Sequence, residues 1–353
     1  MAMPAFPPAQ MIKLSGQMQP LGTAPAEVSL SVHQLPAAAQ ALGAPAAATD
    51  GPTPAVVFCH GFPDLGYSWR HQLGPVSQAG FRVIAPDQRG YGGSSAPEQI
   101  EAYGLGQLCG DLAELLDALE IERAVFVGHD WGGFVAWGMP VLFPERCAGV
   151  IGVCTPYTPF PSLEFLQMMF GDDPEQMYMM WFQEPGVAEA VLDTRARLMF
   201  EKLSVQGIDP AVLAELGVAR ESGFNFNPFI DLEGLPTVAP SVLTEEDLEF
   251  YASTFERTGF RGPVNWYRNI AANGLNFPAV GTQALELPTL MLCAEWDPAL
   301  PPELASGMPA LCSDLEMHTI PKAGHWVHEE YPDQLNGLMI DWLTRRFLAS
   351  NKS

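Results

Sequence analysis

The sequence predicts an α/β fold, a mostly parallel sheet with helices on both faces and a helical cap inserted into it. Three observations carry that reading. Short apolar runs recur at 55–59, 81–85, 124–127, 148–154, 289–294 and 315–320, nearly continuous rather than alternating, as in strands covered on both faces. Helical stripes stand between and after them: Leu105, Leu108, Leu112, Leu115, Leu116 and Leu119 share one face, and Leu335, Leu338, Met339, Trp342 and Phe347 share another. The strand signal then stops over 159–276, where Met, Phe, Glu and helical spacings dominate. An insertion of that kind in an α/β sheet covers the end where the loops gather.

In chain order, residues 1–54 form an Ala/Pro-rich extension, with one alternating stretch at 28–32 that reads as an edge strand. The small residues and prolines that follow it read as a flexible connection. Residues 55–158 hold the first part of the core, 159–276 the cap and 277–353 the second part.

Composition narrows the function classes. The chain has 353 residues, 48% hydrophobic and 16% charged, which is enough apolar material for a large folded core. Lys plus Arg is 17 and Asp plus Glu is 41, a net charge of −24 that repels phosphate backbones and anionic lipid surfaces. Nucleic acid and membrane partners are therefore not expected. The six cysteines include no CxxC pair and fall in apolar surroundings, as expected of reduced thiols in a cytoplasmic protein. The first residues do not read as a signal peptide, and no apolar run approaches a membrane span. The expected state is a soluble monomer or homodimer.

The most informative local text is VFVGHDWGGFVAW, an apolar strand leading through Gly128-His129-Asp130-Trp131-Gly132 into a helix. This is a G-x-nucleophile-x-G elbow with Asp130 where a serine usually stands. The competing reading, an aspartate that only caps the helix, leaves both flanking glycines without a purpose. A carboxylate that attacks a saturated carbon leaves an ester, which water can cleave, whereas a serine would leave an inert ether. The electrophile is then an epoxide or an alkyl halide.

Three further signals complete the constellation. His60-Gly61-Phe62-Pro63 follows the first strong strand, where an oxyanion loop belongs, making the Phe62 and Trp131 N–H groups the expected donors. AEWD at 294–297 and AGHW at 323–326 follow later strands, in the order nucleophile, acid, histidine. Asp297 is the expected partner of His325, with Glu295 as its competitor, and His318 and His328 as competitors of the histidine. GYGGSS after Asp87 lacks dinucleotide spacing, and His328-Glu-Glu lacks a second histidine at metal spacing, so neither a cofactor nor a metal is expected. The Met-rich stretch 168–180 reads as packing or as an adaptable pocket wall.

Taken together, HGFPDLGYSWRHQL, DQRGYGGSSAP, FVGHDWGG, WFQEPGVAEA, GFRGPVNWYRN, CAEWDPALPP and AGHWVHEEYP resemble the hydrolase domain of soluble epoxide hydrolases, over about 55–348 and including the cap. The resemblance implies an α/β-hydrolase fold of the stand-alone form, without the phosphatase domain of mammalian relatives. It also implies two cap tyrosines, Tyr178 and Tyr267, whose phenols stabilise and protonate the departing oxygen. An opening epoxide becomes an alkoxide far more basic than a phenolate, so phenols of pKa about 10 suit the task.

The expected reaction is attack by Asp130 on an apolar epoxide, followed by cleavage of the ester by water that His325 activates. Phe62, Trp131, Trp181, Trp266 and Trp326 are the candidate lining residues. A haloalkane or haloacid dehalogenase shares the aspartate elbow, but a halide needs N–H donors and no phenol protons. A non-enzymatic receptor on the same fold would have no use for Asp130, Asp297 and His325 together.

Overall fold

Strand residues of the central sheet alternate between two cores. Ala55, Val57, Cys59, Phe126 and Val150 pack on one face, and Val56, Phe58, Val125, Val127, Ile151 and Val153 on the other. Because both faces bury apolar side chains, the strands read as continuous apolar text rather than as alternation. In this computed structural model the described residues are 6–17, 28–38, 53–215, 219–220, 223–224 and 227–348.

The strands are β1 Gln10–Lys13, β2 Ser29–Leu35, β3 Ala55–Cys59, β4 Val83–Asp87, β5 Ala124–His129, β6 Cys147–Val153, β7 Ala219–Arg220, β8 Gly223–Phe224, β9 Thr289–Ala294 and β10 Leu315–Ile320. Eight of them form one sheet in the order β1-β2-β4-β3-β5-β6-β9-β10, while β7 and β8 pair separately. Pairing is parallel from β4 to β10 and antiparallel for β1–β2 and β2–β4. The chain builds outward from β3 to β4, then returns to lay β5 on the other side of β3. That reversal is the switch point beside which α/β sheets hold their ligands.

Several boundaries differ from the sequence reading for local reasons. The run at 81–85 becomes β4 at Val83–Asp87, because Asp87 and Pro86 pair with Ser31 and Val32 of β2. Polar residues do not break a strand whose backbone is already paired. The edge strand expected at 28–32 is β2, three residues longer at its C-terminal end, and β1 covers it. β1 carries too little apolar text to be seen, since only Ile12 of its four residues is buried. β10 closes the other edge and exposes Met317, His318 and Thr319, so it is less apolar than a central strand. Most of the connection expected after β2, residues 39–52, lies outside the described residues.

Helices Leu105–Ala118 and Trp131–Leu142 cover one face, and Arg70–Gln78 and Pro332–Phe347 the other. Between β6 and β9 run the helices Leu163–Phe170, Tyr178–Trp181, Val187–Leu192, Ala196–Leu203, Pro210–Glu215, Glu245–Thr258, Arg261–Arg268 and Ile270–Asn276. They are tied to the core by buried polar contacts. The Trp266 indole donates to the Arg89 carbonyl at 3.0 Å, the Leu105 N–H to Asn273 at 2.8 Å and the Tyr251 hydroxyl to Asp64 at 2.6 Å. Arg89 is itself locked by Asp111, at 2.8 and 2.5 Å. No described helix is long and apolar enough to cross a membrane.

Candidate active site

The site is assembled at the C-terminal ends of β3, β5, β9 and β10. At the end of β5 the chain turns sharply into the helix Trp131–Leu142, with Asp130 at φ 51° and ψ −124°. A non-glycine residue there stores about 1–3 kcal/mol of strain, so its surroundings must hold it. The Thr155 hydroxyl and the Gly133 N–H both donate to the Asp130 carbonyl, at 2.7 and 2.9 Å. Gly132 has no room for a side chain, since a Cβ would lie 2.5 Å from the His60 carbonyl oxygen and would run into that of Cys59. The helix start is thus pressed against the β3 loop, and the Asp130 side chain faces that loop.

There the Phe62 N–H donates to Asp130 Oδ1 at 2.7 Å, and the nearby Trp131 N–H also favours the charged carboxylate. Gly61 is required at this approach, because a Cβ would stand 2.5 Å from Asp130 Oδ1. The loop is braced from β4. The Gln88 N–H donates to His60 Nε2 at 3.0 Å, which leaves the proton on Nδ1, 3.0 Å from the Gly61 carbonyl. The Gln88 side chain donates to the His60 carbonyl at 2.6 Å. The Phe62–Pro63 peptide is cis.

His325 stands opposite. Its Nδ1 is 2.9 Å from Asp297 Oδ2, and its Nε2 is 3.9 Å from Asp130 Oδ2. Asp297 Oδ1 accepts the Ala299 and Leu300 N–H groups, both at 2.9 Å, so both of its oxygens are occupied. His129 Nε2 donates to the His325 carbonyl at 2.8 Å and fixes the backbone of that loop. The side chains of His325 and Asp130 keep 14% and 15% of their surface open.

The electrostatics follow from this packing. Burial raises the Asp130 carboxyl above the ordinary aspartate range, against the opposing pull of His325 and the Phe62 and Trp131 N–H groups. Burial alone would also raise Asp297, but the charge and hydrogen bond of His325 and the two N–H donors prevail and hold it low. Burial works to lower His325; Asp297, Asp130 and Asp64 outweigh it and push the imidazole up to about 9. Burial and the charge of Asp130 raise both Tyr178 and Tyr267, with Tyr178 adding to the rise at Tyr267. Both phenols therefore keep their protons at neutral pH.

The two tyrosine rings lie 5.6 Å apart at 77°. Tyr178 opens the helix Tyr178–Trp181 and Tyr267 sits near the end of Arg261–Arg268, so separate helices of the segment between β6 and β9 deliver them. The Phe62 ring meets Phe182, Phe229 and Tyr267 edge-on at 5.5, 5.9 and 5.2 Å. Trp131 meets Tyr267 at 5.1 Å and Phe160 at 6.1 Å.

The other expected lining residues differ in their settings. Trp266 is wholly buried behind Trp131, its indole N–H spent on Arg89, so it supports the wall rather than presenting a face. Trp181 is nearly buried against Phe182. Trp326 packs 5.0 Å from the His325 ring and donates its indole N–H to the Leu203 carbonyl. Of the competitors, Glu295 is exposed and accepts the Lys322 N–H, and His318 is exposed on β10. His328 is buried 3.6 Å from Asp64. Thr155, His129, Gln88, Phe182 and Phe229 escaped the sequence reading, because none belongs to a spacing that betrays its partner. Among the described residues, two donor groups, His129–Cys154–His325 and Asp64–His129–His328, are close-set enough to meet one ion, but the first would consume His325.

Residues 54–191 match a family model described as the α/β hydrolase fold. The bifunctional epoxide hydrolase 2 of Sus scrofa is 38% identical over 83% of this chain and 52% of its own length, so the chain spans about half the length of that relative. Epoxide hydrolase A of Mycobacterium tuberculosis is 37% identical over 82% of this chain and 90% of its own. The crystal structure of epoxide hydrolase A from Mycobacterium thermoresistibile superposes with a TM-score of 0.78 at 35% identity, covering 96% of this chain and 98% of that one.

Proposed function

Because the chain belongs to the epoxide hydrolases of the α/β-hydrolase fold, we propose that it converts apolar epoxides to vicinal diols through a covalent ester on Asp130. The observation that carries this reading is the division of labour between the two carboxylate oxygens. Oδ1 is held by the Phe62 N–H at 2.7 Å, while Oδ2 faces His325 across 3.9 Å and is left to attack.

In the first step Oδ2 bonds to a ring carbon and the ring C–O bond breaks. Tyr178 and Tyr267 share the charge on the departing oxygen, and one of them gives it a proton. Their raised pKa values support this role, since a phenol must still be protonated when the alkoxide forms. The ester has no charge, so one of the carboxylates that hold the His325 pKa high is lost. Neutral imidazole then becomes accessible. In the second step His325 removes a proton from water, and the water oxygen bonds to the Asp130 carboxyl carbon. Oδ1 takes the negative charge between the Phe62 and Trp131 N–H groups, where losing one donor costs about 2.7–4 kcal/mol in comparable sites. The ester C–O bond breaks, the imidazolium proton passes to the leaving oxygen and the diol departs with Oδ2; the proton left on the Asp130 carboxyl returns to the phenolate that gave one up, which restores both groups.

Residues 159–276 act as the cap in this reading, and Phe62, Trp131 and Phe229, backed by buried Phe182, give the site an aromatic wall suited to an apolar substrate. Six buried, unpaired cysteines agree with a reducing, cytoplasmic setting. The test is turnover of styrene oxide, followed as diol by chromatography, beside halide release from a haloalkane. Diol without halide is expected, and loss of diol formation in Asp130→Asn. Halide release in place of diol would replace the reading with dehalogenation.

A further inference from the structure

Resting on the two-step reading above, we infer that Glu330 is a positioning residue for the second step: its carboxylate clamps the cap onto the loop that carries His325. Glu330 Oε1 accepts the N–H of Gly324, the residue before His325, at 2.9 Å. Oε2 accepts the N–H of Gly207, in the cap segment that follows the helix Ala196–Leu203, also at 2.9 Å. One carboxylate thus ties two backbones together, with both bonds charge-assisted.

Gly207 and Gly324 also touch directly. A Cβ on Gly207 would stand 2.5 Å from the Gly324 nitrogen and 2.7 Å from the Lys322 carbonyl oxygen, and one on Gly324 would stand 2.6 Å from Gly207 Cα. Only glycine at both positions allows the contact. On the far side of His325, the Trp326 indole donates to the Leu203 carbonyl at 2.8 Å. The residues on either side of the catalytic histidine are therefore pinned to one short cap segment, 203–207.

The first step depends on none of these contacts. Asp130, Phe62 and Trp131 are held by core loops, and Tyr178 and Tyr267 come from other cap helices. Water activation depends on His325 alone for its base, so a loosened clamp slows ester cleavage and leaves ester formation as it was. A structural weakness of the whole fold would slow both.

Intact-mass analysis after rapid mixing with styrene oxide separates the two steps. In Glu330→Ala the ester on the protein forms at the wild-type rate and decays roughly 10- to 100-fold more slowly, the size of loss that a misplaced catalytic group brings. Gly207→Ala keeps the carboxylate but forces the backbones apart, and it shows the same split if Glu330→Ala fails to fold. Decay at the wild-type rate in both variants, or formation slowed as much as decay, overturns the role given to Glu330. A wild-type enzyme that never carries the ester is a different result, because it removes the two-step reading itself.

Discussion

His325 Nε2 stands 3.9 Å from Asp130 Oδ2, too far for a hydrogen bond, while His325 Nδ1 is held 2.9 Å from Asp297. In the proposed mechanism this spacing leaves Oδ2 unengaged for attack. It would also bring His325 within reach of a water beside the carboxyl carbon once that oxygen is esterified, so that two steps could share one histidine.

The pH dependence should differ between the two steps. The acid limb of kcat/KM should lie above the ordinary aspartate value of about 3.9, because burial raises the Asp130 pKa and the free enzyme must hold it ionised. The limb of kcat that reports His325 should lie below about 9, since the ester has lost the Asp130 charge that helps raise it. Profiles of the two constants on one substrate test this, and a kcat limb at or above 9 would contradict it.

Stability should also follow the His325–Asp297 pair. The folded His325 pKa of about 9 exceeds its unfolded value of about 6.5, so its contribution is complete below 6.5 and is lost as pH rises toward 9. That contribution is at most about 3 kcal/mol. Asp297 is shifted the opposite way, and its contribution disappears as pH falls below the ordinary aspartate range. Melting temperatures measured from pH 6 to 10 should fall in the wild type and stay flatter in His325→Gln. Parallel curves would refute the assignment.

Tyr178→Phe and Tyr267→Phe should each slow ester formation, on the order of 10²-fold or more for loss of a positioned acid. The double variant should be slower than either. Fluorescence-monitored single turnovers separate this step from ester cleavage. Wild-type formation rates in the double variant would exclude the phenols from the first step.

Gly61→Ala should fold and lose activity. Its new Cβ would meet Asp130 Oδ1 at 2.5 Å and force the carboxylate out of its N–H cradle. A displacement of that kind costs about 10²-fold. Circular dichroism and turnover together check it, and an active Gly61→Ala enzyme would mean that the cradle tolerates a shift.

Much of the fold was readable because buried parallel strands leave continuous apolar text, and the elbow was readable because its glycines stand in sequence around Asp130. Asp297 and His325 were readable from chain order after strands. The supports of the site were not. The side chains of Thr155, His129 and Gln88 each act through a hydrogen bond to distant backbone, and Glu330 joins two glycines, one six and the other 123 residues away. Such pairings have no periodicity. β1 was missed because one buried residue in four cannot set a pattern. Trp266 stands wholly buried behind Trp131, and an aromatic residue near a motif does not reveal which layer it occupies.

The most direct measurement is a single turnover with excess enzyme in oxygen-18 water. The Asp130 ester predicts an unlabelled diol, because the new hydroxyl oxygen comes from the carboxylate and the label stays on the protein. A diol labelled in that first turnover would mean that water attacks the epoxide directly, and would contradict the account.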